Sequence, residues 1–346
     1  MRELHNWFQA NQRDFPWRIN RTPYRVWVSE VMLQQTRASV VIPYFKKWLA
    51  LFPDVHTLAA APVELIIKTW EGLGYYSRAR NLHLGAKQVV SQFGGEIPSK
   101  GEELAKIRGL GPYTIGAILS FGFGQRAPAV DGNVTRVLSR YFAIRENVDK
   151  TAVKRIIQDH ARDVLDREEP WMTAEALIEL GATVCQPKPR CLECPLQKGC
   201  AGFKQKIAES LPIKNGEKKI TQLQRTVVFI EAQGAILVKK GLPGKVMADL
   251  YEFPYFEMNQ ALWEQREVLE AVQEKWGLKI EISQRLAEVK HTFTRYRVTL
   301  YPWVATSDFQ VKLEGYQWLS REELKALPFS SGHLRILKQF FGLHIK

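Results

Sequence analysis

The sequence predicts two folds in one chain, an all-α N-terminal part and an α+β C-terminal part. Over residues 1 to about 202, apolar residues recur at helical spacing, with short Gly, Pro or Asn punctuation between runs. Beyond residue 221, β-branched and aromatic residues concentrate in short runs that alternate with helical ones. At 346 residues the chain is long enough for two or three domains, each burying its own core.

The elements follow in order. Thr22-Pro23 pairs a capping side chain with a residue whose fixed φ suits the first helical position. The run from there to Thr36 sets Val26, Trp27, Glu30, Leu33 and Gln34 on one face. Further helical runs are expected near 38–51, 62–70, 77–93, 112–121, 133–141, 150–165 and 171–181. Residues 203–220 hold Pro, Asn-Gly and several lysines without an apolar period, which is a linker composition. After it, 226–238, 280–289 and 295–304 have strand composition, while 260–276 and 332–341 have helical composition. The division expected is a helical domain 1–202, a linker 203–221 and a second domain 222–346.

Charge narrows the function. Hydrophobic residues make up 45% and charged residues 25%, which excludes a mostly disordered chain. Lys and Arg number 49 against 36 Asp and Glu, a net charge of +13 that favours a polyanionic partner. Residues 222–346 hold 17 basic and 14 acidic side chains, residues 1–221 hold 32 and 22, and residues 185–221 alone hold 8 and 3. The excess therefore belongs mainly to the helical part. No apolar stretch reaches spanning length, and the first residues lack the apolar region of a secretory signal, so a soluble cytoplasmic protein without a membrane partner is expected.

Three groups of residues could carry chemistry. The stretch 107–114, IRGLGPYT, places Gly109 and Gly111 in a hairpin that opens a helix, where backbone N–H groups can approach a phosphate closely. Twenty residues past Gly111, Asp131 sits at a helix start, where the dipole and backbone donors favour its ionised form. Glu30 has Val26, Trp27 and Leu33 as helical neighbours, so it lies on an apolar face where desolvation raises its pKa, as a general acid requires. Finally, all four cysteines (Cys185, Cys191, Cys194, Cys200) fall in one short stretch spaced C-x5-C-x2-C-x5-C. Thiolates at that spacing can wrap one tetrahedral zinc or one cubane iron-sulfur cluster, and spacing does not choose between them. Redox-active thiols are the third option.

Together these segments carry a resemblance. A glycine hairpin, a helix with a carboxylate at its start and a four-cysteine loop resemble the helix-hairpin-helix DNA glycosylase superfamily. The segments at 15–18 (FPWR), 29–36 (SEVMLQQT), 72–78 (GLGYYSR), 131–134 (DGNV) and 175–177 (EAL) resemble its MutY-type adenine DNA glycosylases. The resemblance implies an iron-sulfur ([4Fe-4S]) cluster loop closing the all-α glycosylase domain. A hairpin-containing six-helix module at about 22–125 is then flanked by 1–21 and 126–202, which form the cluster-bearing module. It further implies a Nudix-like α+β domain at 222–346 that recognises 8-oxoguanine.

The implied activity is base-excision repair, as a monomeric bacterial enzyme acting at the nucleoid on double-stranded DNA. Adenine opposite 8-oxoguanine or guanine is flipped from the duplex and its N-glycosidic bond hydrolysed. Glu30 matches the general acid and Asp131 the carboxylate that stabilises or traps the oxocarbenium-like sugar, a division known from paired carboxylates in glycosidases. Tyr113, Asn133, Arg18 and Glu175 match pocket positions. Leu33, Gln35 and Tyr75 match positions that contact DNA, Gln35 and Tyr75 those that fill the duplex and meet the opposing base. Endonuclease III-type relatives carry a nucleophilic lysine where this chain has Tyr113, which implies a monofunctional enzyme. An endonuclease III-like glycosylase acting on another mispair or damaged base is the alternative.

The chain also departs from the family pattern. The first cysteine gap is x5 where x6 is usual, and Arg108 stands where a proline is usual. Phe293-Thr294-Arg295 stands where relatives have Phe-Ser-His, so a permanent cation replaces an imidazole. The stretch 263–270 lacks the Nudix array of metal-binding glutamates, which makes a recognition module the reading for this domain.

Overall fold

The computed structural model describes residues 1–216, 220–242, 247–258, 263–293 and 295–342. They form two compact units, Met1–Ala61 with Arg78–Glu217, and Pro62–Ser77 with Lys218–Lys346. Contacts thus group 62–77 with the C-terminal unit, although its helical composition had placed it in the N-terminal domain.

The first unit is helical. Thr22 accepts the Arg25 N–H and Pro23 opens the helix Pro23–Leu33, a cap that contributes about 1 kcal/mol. That helix buries every residue from Val26 to Met32, so it crosses the core and is not a surface element. The 112–121 run divides into an α-helix, Pro112–Ala117, and one wider π-helical turn, Ile118–Gly122. A Cβ on Gly122 would lie 2.9 Å from Pro23 Cα, so the missing side chain lets the two elements touch. One helix absent from the expected set, Arg2–Asn11, inserts Leu4 and Phe8 into a core shared with Gly132–Tyr141, Thr151–Val164 and Pro170–Thr183.

The segment after the cysteines is not a free tether. Leu211 is buried, Val148 N–H donates to the Ile213 carbonyl, and Asn215 N–H donates to Asp149. Lys204, Lys206 and Lys214 are exposed, but the carbonyls of Leu211 and Ile213 accept from Arg140 and from Val148 N–H.

The second unit is built on an eight-stranded mixed sheet: β1 (Thr221–Ala232), β2 (Ala235–Lys240), β3 (Tyr251–Glu252), β4 (Tyr255–Met258), β5 (Glu281–Arg285), β6 (Val289–Phe293), β7 (Tyr296–Thr306) and β8 (Tyr316–Ser320). The order is β3-β2-β1-β7-β5, with β4 on β1, β6 on β7 and β8 on β2. The single apolar run 226–238 is a hairpin, turned by Gln233 and Gly234, both at positive φ. Val227 and Phe229 face one core, Val228 and Ile230 the other. Burial on both faces explains why β1 reads as continuous apolar sequence and does not alternate. The helices Gln265–Trp276 and Ser331–Phe340 cover opposite faces.

Candidate active site

The first unit brings four sequence-predicted residues to a fifth, Glu30. Glu30, 6% exposed, receives the Tyr113 hydroxyl at Oε2, 2.5 Å away. Burial pushes its carboxyl from 4.5 up to about 7. The Tyr113 hydroxyl pulls against that, the Asp131 and Glu175 carboxylates add to the rise, and Arg18 lowers it. All four groups therefore act on the Glu30 carboxyl. The apolar neighbours that the sequence set around it supply the burial, and distant carboxylates supply the rest.

Asp131 caps the helix Gly132–Tyr141, its Oδ1 accepting the Val134 N–H and its Oδ2 the Asn133 amide, each at 2.7 Å. The donors expected at a helix start are present, but burial opposes them and the carboxyl sits above its ordinary value. Asn133 is held in turn by Arg136, whose Nη2 donates to its Oδ1 at 2.9 Å. A Cβ on Gly181 would lie 2.6 Å from Asn133 Cβ, so Gly181 permits the close approach of the helix Pro170–Thr183 that carries Glu175.

That helix also carries a residue the sequence reading missed. Glu179, 1% exposed, accepts from Arg13 Nε at 2.5 Å and from Arg18 Nη2 at 2.8 Å. Arg18 Nε lies 3.6 Å from Glu175, which pairs with Arg21 at 2.7 Å. The available signal was the i, i+4 spacing of Glu175 and Glu179 on an otherwise apolar helix. Arg78 was also missed as a structural part. Buried, its Nη1 donates to the carbonyls of Val31, Met32 and Gln34, closing the C-terminal end of the Glu30 helix.

The DNA-contact candidates are dispersed. Gly109 has φ 86°, and a Cβ there would lie 2.7 Å from Asn81 Cβ, so the hairpin admits only glycine at that position. Gly111 caps Pro112–Ala117 with open space around it. Leu33 is half-buried at its helix end, and Gln35 is exposed at positive φ. Tyr75 belongs to the other unit, as do Phe293 and Arg295. Phe293 packs against His291 and Tyr296, and Arg295 lies over the Tyr296 ring. Thr294 lies outside the described residues.

The four cysteines are unpaired and wall one cavity together with Arg140, Val184 and Phe203. Arg140, 2% exposed, spreads over the loop, donating to the carbonyls of Leu211, Gln186 and Pro187 and lying 3.4 Å from Cys185 Sγ. Arg136 Nε donates to the Cys185 carbonyl at 2.7 Å. The helix capped by Asp131 thus holds the cysteine loop through two arginines. Burial pushes the Cys194 thiol up to about 11, with the other three thiols adding to the rise.

Comparison with known proteins shows the fold and the family. A family model described as "HhH-GPD superfamily base excision DNA repair protein" matches residues 28–162, and one described as "NUDIX domain" matches 225–339. The thermostable thymine-DNA glycosylase structure aligns at TM-score 0.55 and 26% identity over 59% of this chain and 94% of that one. The trapped endonuclease III–DNA covalent intermediate aligns at TM-score 0.51 and 25% identity over 60% and 94%. Fold and site define a base-excision DNA glycosylase with a hairpin-containing helical domain and a Nudix-like C-terminal domain. The adenine DNA glycosylase of Homo sapiens is 31% identical over 98% of this chain and 73% of its own length. That of Buchnera aphidicola subsp. Baizongia pistaciae is 32% identical over 88% and 86%. The chain belongs to the adenine DNA glycosylase family.

Proposed function

We propose that this enzyme excises adenine opposite 8-oxoguanine or guanine in double-stranded DNA by monofunctional hydrolysis. The observation that carries the reading is Glu30, buried within reach of Tyr113 and facing Asp131. A carboxyl raised to about 7 holds its proton near neutral pH and can deliver it to the leaving adenine, which departs poorly as an anion. Asp131, fixed by Val134 N–H and the Asn133 amide, then faces the positive sugar. Tyr113 holds the acid and, lacking an amine, forms no Schiff base with the sugar. Arg18 and Glu175 border this pocket. Gly109 and Gly111 meet the phosphates, Leu33, Gln35 and Tyr75 the duplex, and Phe293 to Arg295 the opposing base.

The cysteines fit a [4Fe-4S] cluster. Their thiols wall one shared cavity. Four thiolates are the donor set that would hold such a cluster. A bound cluster would offset the negative charge of the four gathered thiolates and order the loop. Arg136 connects that loop to Asn133, and Arg140, on the same helix, holds the loop as well.

The test is adenine release from duplexes with A opposite 8-oxoguanine and A opposite G, beside a T opposite G duplex, for the wild type and Glu30→Gln. Release from both adenine duplexes, lost in Glu30→Gln, is expected. Release of thymine alone, or a borohydride-trapped covalent adduct formed in proportion to turnover, contradicts the reading.

A further inference from the structure

The turn that bears Tyr75 is tied to a segment more than 250 residues away in the chain. Within the unit formed by Pro62–Ser77 and the C-terminal sheet, polar contacts from the first segment converge on Leu327-Pro328-Phe329. Lys68, on the helix Val63–Thr69, donates from Nζ to Glu71 Oε2 and to the Leu327 carbonyl, each at 2.8 Å. The other oxygen of the same carboxylate, Glu71 Oε1, accepts the Phe329 N–H at 2.8 Å. The Tyr76 hydroxyl accepts the Gly72 N–H at 3.3 Å and lies 3.5 Å from the Phe329 carbonyl.

Both ends of this tie are stiff. Phe329 is fully buried against Tyr251 and Phe253, Tyr251 N–H donates to the Pro328 carbonyl, and Ser330 N–H donates to the Tyr251 carbonyl. Tyr251 lies on β3, which pairs with β2, so the segment is continuous with the sheet. On the other side Gly72, Gly74 and Tyr75 all have positive φ, at 101°, 71° and 48°. Left-handed backbone at a tyrosine persists only where its surroundings enforce it. Bonds to an ionised carboxylate are the stronger kind, and one that uses both oxygens fixes orientation as well as distance.

We infer that Lys68 and Glu71 are positioning residues that tie the Tyr75 turn to the sheet of the C-terminal unit, so that the group entering the duplex and the strands reading the opposing base act together. The inference rests on the proposed roles of Tyr75 and of the C-terminal unit. Neither residue touches the reacting base; each acts through the placement of Tyr75. Its consequence is discrimination at the opposing base, not the rate of bond cleavage.

The test uses the full chain as wild type, Glu71→Ala, Lys68→Met, the double variant and Lys68→Arg. Hydrogen exchange reads the tie without reference to catalysis. In Glu71→Ala the amides of Leu327, Phe329 and Ser330 and those of 72–76 both exchange about 10-fold faster or more, the loss of a bond to a charged acceptor. Glycosylase kinetics read its consequence. The ratio of kcat/KM for A opposite 8-oxoguanine to that for A opposite G falls about 10-fold, equally in both single variants and the double. The kcat on A opposite G holds, and Lys68→Arg keeps the wild-type ratio. Faster exchange confined to 327–330, or equal losses on both duplexes in step with a lowered Tm, overturns the inference. A wild type that releases no adenine fails the functional reading instead, while the exchange at 72–76 still decides whether the tie exists.

Discussion

Replacing Glu30 by glutamine separates stability from activity in opposite directions. The carboxyl is raised from 4.5 to about 7 in the folded chain, so the folded state binds the proton more tightly than the unfolded one. A raised acid stabilises least where it is forced to ionise: nothing is lost below pH 4.5, the loss accumulates as pH rises, and it is complete above about 7. At about 1.4 kcal/mol per pKa unit, the folded wild type forfeits about 3 kcal/mol at pH 8.5 and under about 1 kcal/mol at pH 5. Glutamine is nearly isosteric, its carbonyl can still accept the Tyr113 hydroxyl, and it never ionises. Glu30→Gln is therefore more stable than wild type at pH 8.5, by an amount that shrinks towards pH 5, while adenine release falls by about 10²- to 10⁴-fold. The assay is urea unfolding followed by helical circular dichroism at the two pH values, beside single-turnover release from an A opposite 8-oxoguanine duplex. A variant no more stable at pH 8.5 than at pH 5 relative to wild type would refute the burial argument. One that keeps a tenth of the activity would refute the acid.

Three further outcomes follow from the same geometry. The Tyr113 hydroxyl lowers the pKa of Glu30, so Tyr113→Phe moves the alkaline limb of the single-turnover pH profile upward from its wild-type position near 7; a limb that stays or moves down contradicts it. Glu179→Gln leaves Arg13 and Arg18 without their shared charge and lowers stability by about 2 kcal/mol, read as a shift in denaturant midpoint, together with reduced release as Arg18 is freed; an unchanged midpoint shows the pair to be inert. Cys194→Ser removes one of the four proposed cluster ligands, so the purified protein loses broad visible absorption and unfolds at lower temperature; wild type purified colourless with stoichiometric zinc would exclude the cluster.

Local signals were strong where neighbouring residues in sequence decide the outcome. Thr22-Pro23 opened its helix as expected because a cap acts within one turn. Gly109 sits at the positive φ that the hairpin motif demands. The apolar setting of Glu30 was legible because residues three and four apart share a helix face. By contrast, the run 226–238 gave no sign of its turn, since Gln233-Gly234 is a short polar pair inside an apolar stretch whose burial on both faces hides the period of a strand. The helix Arg2–Asn11 was missed for its mostly polar sequence, which needs only Leu4 and Phe8 to dock.

The sequence by itself determined the two fold classes, the basic character of residues 1–221 and the family, and it named the two candidate carboxylates. Those properties are carried by residues close in the chain or by ordered motifs. The tertiary structure alone decided that Tyr113, Asp131, Glu175 and Arg18 converge on Glu30 and which way each moves its proton affinity, that Glu179 anchors two arginines, and that 62–77 groups with the C-terminal sheet. Charge interactions and hydrogen bonds act through space over a few ångströms, and apart from Arg18 with Glu30 the partners involved lie from 83 to 259 positions apart along the chain. No local pattern records such a separation; only the folded path does.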